Sequence, residues 1–466
     1  MRRVTPLWTS AEIESATGGR ASASFEVTGV TFDSREVEPG HLFVAMPGTV
    51  ADGHQFVASA LEAGAAAAIV SRPVDGPHLL VEDTAAALTA LAIAARDRVP
   101  EAKILGVTGS VGKTSTKEAL AAALERRCRG RVHRSVKSYN NHTGVPLSLA
   151  RMPRDTLFGV FEMGMSNAGE IAALTRLVRP HVALITAIAP AHIENLGSME
   201  AIAAAKGEIF EGLEPGGTAI LPNDTPHRDL LLRAARRHAG RTVTFGSGDA
   251  DITAVHAVRG NAGGSLVTAR LLESQLTFTI AQPGEHWVSN ALAVLTAVEA
   301  VGADLAAAGL ALGDLGGLKG RGERHRVAVE GGEALLIDES YNANPASMAA
   351  TLRNLGTEPV EGRRIAVLGT MRELGAHSDE AHAGLAPHVL DAGVNSLILV
   401  GDETRPLEQA LGGQVEVQRA DDANAAAELL LKTIHPGDAV LVKASNGVGL
   451  ARLVERVAGG AATCST

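Results

Sequence analysis

The sequence predicts an α/β protein of three domains. The central domain is of the P-loop type, a mostly parallel sheet with helices on both faces, and the C-terminal domain is a Rossmann-like α/β unit. Three observations predict this. The 466 residues exceed what one core fills, at about 150 residues per domain. Short apolar runs alternate with alanine-rich helical stretches along the chain, the pattern of parallel strands joined by helices. Finally, the stretch Lys103 to Glu118, KILGVTGSVGKTSTKE, reads as strand, glycine-punctuated turn and helix start. The expected boundaries give domains 1–100, 101–317 and 318–466.

In the first domain, Gly29 to Phe32 and Leu42 to Ala45 read as strands, and Phe56 to Ala63 and Ala85 to Arg98 as helices. Asp33, Ser34 and Arg35 follow a strand, Pro39-Gly40 makes a turn, and Asp52, Gly53 and His54 come after the next strand. Such polar groups at strand ends also serve simply to close turns.

The second domain opens with the phosphate loop. Gly109, Ser110, Val111 and Gly112 offer successive backbone N–H groups to an anion, the helix start adds positive partial charge, and Lys113 adds a full one. Thr114 and Ser115 follow, with Thr114 placed to hold Mg²⁺. The general pattern wants glycine where Val107 stands, so this is a variant, TGxxGKT. The triad Gly-Lys-Thr alone is only a turn entering a helix, but strand, loop and hydroxyls together point to a nucleoside triphosphate, ATP or GTP. Downstream, Asn140-Asn141 with Thr143, Glu162 after the strand Leu157 to Phe161, and His192 with Glu194 after the strand Val182 to Ile188 recur at helix-sized intervals. In a parallel sheet these gather at the strands' carboxyl ends, where a nucleotide enzyme needs oxygen and imidazole ligands for Mg²⁺. Lys206, on a helical stretch, is by itself an exposed helical lysine, and a cation beside a magnesium site is electrostatically misplaced. Gly284-Glu285-His286 opens a helix that carries Asn290 one turn on.

After Gly316-Gly317, LKGRGERHRV brings Lys319, Arg321, Arg324 and Arg326 ahead of a strand. The third domain then reads as strand Leu335 to Asp338, the SYNANP turn, helix Met348 to Leu355, strand Arg364 to Leu368, helix Glu380 to Ala392, strand Ser396 to Val400, helix Asn424 to Thr433 and strand Ala439 to Val442.

Composition bounds the partners. Apolar residues at 45% and charged residues at 20% are ordinary for a globular protein, and aromatics at 3% leave the cores to aliphatic side chains. A net charge of −10 argues against nonspecific binding to nucleic acid or anionic membrane. Cys128 and Cys464 are the only cysteines, which leaves no disulfide framework and suits a reducing cytosol. Met1 to Ser10 lacks an apolar core, and Ala85 to Ala95 is too short to span a bilayer, so the chain is expected to be soluble, untargeted and not inserted in a membrane.

Along essentially its whole length the chain resembles the Mur ligases of peptidoglycan synthesis, and most closely the MurF type. DSREVEPGHLFVAMPG with the following DGH resembles the family's UDP-binding domain, TGSVGKTS its ATP loop, APAHIENLGS with AKGEIF its metal and lysine region, and DESYNANPASM the MurF segment. The resemblance implies a cytoplasmic, monomeric ligase that uses ATP and Mg²⁺ to add D-alanyl-D-alanine to UDP-N-acetylmuramoyl-tripeptide through an acyl phosphate. It implies Lys113 on the phosphates, Thr114 and Glu162 on one Mg²⁺, His192 on a second, and Lys206 carbamylated as a further metal ligand. Asn290 would contact the adenosine, and Arg321 the phosphates when the last domain closes. Asp338, Tyr341, Asn342 and Asn344 would lie near ATP or the dipeptide, Ser34 and Arg35 would hold the uridine nucleotide, and Asn141 would bind substrate. Closure is expected to pivot about turns near 100 and 317.

The chain departs from the pattern at Trp287, at Thr370 and Arg372, and at Ala444, Asn446 and Ala451, where glycine, arginine and glutamate are expected. The other readings are a MurE-type ligase, for which the aspartate-asparagine-proline-arginine motif is missing, a folylpolyglutamate-like ligase, and a non-catalytic nucleotide-binding homologue.

Overall fold

The computed structural model describes residues 6–48, 52–191, 193–260 and 263–459. Its largest elements are two six-stranded sheets. The first runs, edge to edge, Arg241–Phe245, Thr218–Pro222, Val182–Ile185, Lys103–Thr108, Phe158–Glu162 and Val132–Arg134, every pair parallel. Its central strands are buried on both faces, which is why Ile104, Leu105 and Val107 read as a continuous apolar run rather than an alternating one. Helix Lys113–Glu125 packs Leu120 and Leu124 on one face, and helices Glu170–Val178 and Met199–Gly207 cover the other with Ile171, Leu174 and Ile202.

The second sheet runs Glu323–Val329, Gly332–Glu339, Ala439–Lys443, Arg364–Gly369, Ser396–Val400 and Glu416–Ala420. The first pair is antiparallel and the rest are parallel. The strand that closes the chain's last turn of the sheet, Ala439–Lys443, is thus inserted between two earlier ones. A smaller five-stranded sheet holds Gly29–Thr31, His41–Val44 and Ala67–Val70 near the amino end.

Three expectations are corrected. The strand after Val182 stops at Ile185, because Thr186 and Ala187 turn to meet the phosphate loop. The helix expected from Glu380 to Ala392 is two, Ser378–Ala383 and Ala386–Asp391, broken where Pro387 enters the first turn of the second and removes a backbone donor. The stretch 253–280 does not continue the parallel alternation. It forms a three-stranded antiparallel sheet whose Val267, Ala269, Phe278 and Ile280 cover helix Glu285–Ala300.

Candidate active site

The phosphate loop is fixed by its neighbours. Gly109 has φ +150°, and a Cβ there would stand 1.9 Å from Thr186 Oγ1. Gly112 has φ +81°, the left-handed region that favours glycine, and begins helix Lys113–Glu125. Thr186 Oγ1 donates to Val111 O at 2.5 Å, and Ser110 N donates to Ala187 O at 2.8 Å. The neighbouring strand's exit therefore clamps the loop from behind.

Lys113 Nζ donates to Gly109 O at 2.7 Å, curling back over the loop. Burial holds its ammonium below the ordinary lysine range; Glu162 opposes that fall and Arg321 adds to it. Thr114 Oγ1 donates to Glu162 Oε2 at 2.8 Å, and Asn140 Nδ2 donates to Glu162 Oε1 at 2.7 Å. Glu162 is 1% exposed. A hydroxyl and a buried carboxylate side by side are hard oxygen donors of the kind that suits Mg²⁺. Ser110 Oγ is buried without a hydrogen-bond partner among the described residues, so the loop carries a polar atom left for a ligand to satisfy.

These groups open on a cavity of about 550 Å³ between the two large sheets. Of the residues singled out in the sequence, Ser110, Val111, Gly112, Lys113, Thr114, Ser115, Asn141, Glu162 and Asn290 line it from the first sheet's side, and Arg321, Tyr341, Asn342 and Asn344 from the second's. The Arg321 guanidinium lies 4.2 Å from the centre of the Tyr341 ring, a cation–π contact that holds both at the cavity wall. Asn344 caps helix Pro345–Gly356 through Ser347 N. Asn141 Oδ1 accepts from Thr143 N and Gly144 N, turning the chain into helix Gly144–Ala150.

Other predicted residues lie elsewhere. Asp338 does not face the cavity; it is buried, accepting from Gly320 N and Ser340 N, and so shapes the turn that presents Arg321. Lys206 is 1% exposed and does not line the cavity; burial, reinforced by the Lys113 charge, drives its ammonium well below the ordinary lysine range. Ser34 and Arg35 sit in the amino-terminal part, Arg35 pairing with Asp33 at 2.6 Å. His192 falls outside the described residues.

The sequence reading missed several contributors. Lys117 is fully buried and donates to Ser135 O at 3.0 Å and to Lys137 O, holding the segment that carries Ser138 beside Thr114. Glu339 and Lys443 line the cavity as a pair, Nζ to Oε2 3.5 Å, with Nζ also donating to Asn342 O at 2.9 Å. Burial pushes the Glu339 carboxyl up and the Lys443 ammonium down, each against the other's charge.

The comparisons with known proteins agree along the chain. Family models described as "Mur ligase middle domain", "Mur ligase, glutamate ligase domain" and "Mur ligase family, catalytic domain" match residues 107–298, 320–446 and 26–127. A UDP-N-acetylmuramoyl-tripeptide--D-alanyl-D-alanine ligase of Synechocystis is 37% identical, covering 94% of this chain and 93% of the relative. One of Bacillus subtilis is 35% identical, covering 95% and 96%. Among solved structures, MurF from Acinetobacter baumannii superposes with a TM-score of 0.83 at 28% identity, covering 98% and 99%. MurF ligase from Thermotoga maritima in complex with ADP gives 0.76 at 28%, covering 92% and 97%.

Proposed function

The chain belongs to the Mur ligase family, and on that premise we propose that it is the ATP-dependent ligase joining D-alanyl-D-alanine to UDP-N-acetylmuramoyl-tripeptide in peptidoglycan precursor synthesis. The observation that carries this reading is the cavity in which Lys113, Thr114 and Glu162 face Arg321, Tyr341 and Asn342 across the two sheets.

A carboxylate is a poor electrophile, so the tripeptide's terminal carboxylate first takes the γ-phosphoryl group of ATP. The carboxylate oxygen forms the new P–O bond and ADP leaves. The amine of D-alanyl-D-alanine then attacks the acyl carbon, phosphate departs, and the amine's proton is lost. Phosphoryl transfer needs positioning and neutralised charge more than covalent help from the protein. Lys113 and the loop N–H groups hold the phosphates, Asn290 lies toward the adenosine, and Arg321 reaches the phosphates from the second sheet. Thr114 and Glu162 would hold Mg²⁺, with His192 and Lys206 as further ligands; bound there, the ion supplies positive charge to the phosphate oxygens. Burial and the Lys113 charge favour the neutral Lys206 amine over the ammonium, and the neutral amine is what reacts with CO₂, which supports its carbamylation; a carbamate carbon signal after ¹³C-bicarbonate labelling, absent in Lys206→Ala, tests this.

Tyr341, Asn342 and Asn344 lie toward ATP or the acceptor, Asn141 toward the donor peptide, and Ser34 and Arg35 toward the uridine nucleotide, with Asp338 acting through Gly320. Among the described residues no helix is long and apolar enough to cross a membrane. In this reading the enzyme works as a monomer in the cytoplasm, where ATP and a UDP-linked donor are at hand.

Phosphate release should require UDP-N-acetylmuramoyl-tripeptide and D-alanyl-D-alanine together. Release with neither, or with glutamate as acceptor, overturns the reading. Lys113→Ala should slow turnover by about 100- to 1000-fold in a folded protein.

A further inference from the structure

A dipeptide acceptor has an ammonium end that must reach the activated carboxyl and a carboxylate end no more than about 7 Å away when extended. That carboxylate calls for a cation at the edge of the cavity. In the second sheet Ala439–Lys443 lies between Gly332–Glu339 and Arg364–Gly369, so the strand order reverses there, and ligands of such sheets sit outside the carboxyl ends at that reversal. Among the described residues, Lys443, Arg321 and Arg372 are cations beside those ends. Lys443 is 2% exposed and engaged by Asn342 O and Glu339. Arg321 is stacked on Tyr341 and near enough to Lys113 to depress its ammonium, which orients it to the phosphate end.

Arg372 is the third. Its backbone N donates to Ser445 Oγ at 2.9 Å, which ties the loop after Arg364–Gly369 to the loop after Ala439–Lys443. Its guanidinium is exposed and donates to a main-chain carbonyl, Gly447 O, at 3.2 Å. A Cβ at Gly447 would stand 2.3 Å from Arg372 Nη1, so glycine there lets the guanidinium lie flat against residues 444–449. The next residue, Glu373, holds φ +64°, a conformation costly for a side chain with a Cβ, and its charge acts on Lys113. Ser445 Oγ in turn donates to Ala343 O at 3.5 Å, between the cavity-lining Asn342 and Asn344, so the Arg372 loop stands beside the cavity's second-sheet wall, and a guanidinium fork matches a carboxylate in two parallel hydrogen bonds.

We propose that Arg372 determines acceptor specificity by holding the carboxylate of the incoming D-alanyl-D-alanine. This rests on the ligase reading above. The experiment compares phosphate release from D-alanyl-D-alanine and from its C-terminal amide, in wild type, Arg372→Ala and Arg372→Lys. Wild type should prefer the free acid in kcat/KM. Arg372→Ala should raise KM for the acid by about 10- to 100-fold, with a far smaller loss for the amide, so that the preference collapses while KM for ATP and for the UDP-peptide holds. Arg372→Lys should recover part of it, and a wild-type melting shift with ADP verifies that the alanine variant is folded. An unchanged preference for the acid in Arg372→Ala overturns the assignment alone. A wild type that releases no phosphate with D-alanyl-D-alanine overturns the ligase reading and the assignment with it.

Discussion

The chain crosses between its parts at two seams, and they are built differently. At the first, helix Thr84–Asp97 puts Ala87, Leu88, Leu91 and Ala95 into one core with Leu147 and Ala150 of helix Gly144–Ala150, while Ala92, Val99 and Ala102 join a second core with Phe161 and Val178. Arg96 donates to Val178 O and Arg179 O, each at 3.0 Å, and Arg98 to Leu7 O at 2.9 Å and Met152 O at 2.5 Å. At the second seam, beyond Gly316-Gly317, open cavities of about 550 and about 500 Å³ separate the elements on either side. Contacts there are narrow, such as Gly284 against Asn354 and Gly375 against Glu194. A seam filled with apolar side chains from both sides resists pivoting, because any rotation opens voids in it. Closure expected from sequence at both turns is therefore supported by the packing only at the second.

The most severe way to probe this contrast is Leu91→Ala, which removes a fully buried side chain at the first seam and should cost about 2–5 kcal/mol. Denaturant unfolding followed by probes on both sides of residue 100 should show one shared transition moving together; two separate transitions would break the comparison. Arg96→Ala should cost about 1.5–3 kcal/mol, through the carbonyls and the Glu214 carboxylate it leaves behind, measured the same way.

Glu36→Gln should cost about 1 kcal/mol and change the pH dependence. Burial opposes ionisation of Glu36, but hydrogen bonds from Lys137 and from Tyr139 OH, the latter at 2.9 Å, outweigh it and hold the carboxyl below its ordinary value. A depressed carboxyl stabilises the fold above its unfolded pKa, and that stability is lost as pH falls through the folded value. Wild type should therefore lose stability more steeply than Glu36→Gln below about pH 4, as read by thermal melts. Least of all, Lys319→Ala at the second seam removes an exposed pair with Glu455 and should shift stability by less than about 0.5 kcal/mol.

How much of this was legible depends on how local each feature is. The phosphate loop could be read directly because its requirements, glycine at positive φ and a lysine entering a helix, fall within a few residues. Arg321 and Tyr341 were found from their motifs, but their stacking was not, since it depends on Asp338 pulling Gly320 into place. Glu339 and Lys443 are paired by register only because a late strand slots between two earlier ones, an order that no local pattern carries. The break at Pro387 and the alternation of Leu276, Phe278 and Ile280 were visible signals, overridden by the expectation of an unbroken helix and a continuing parallel sheet. The departures at Arg372 and Asn446 lie more than 70 residues apart in sequence, yet their loops are joined through Ser445.

The filled first seam has a consequence for the donor substrate. If Ser34 and Arg35 grip the uridine end while Lys113 meets the phosphates, both grips belong to one stiff frame, and the span between them cannot adapt. That frame works as a caliper on the stem peptide: a donor one residue shorter ends about 3.5 Å short of the phosphoryl group and should go unphosphorylated even when it binds.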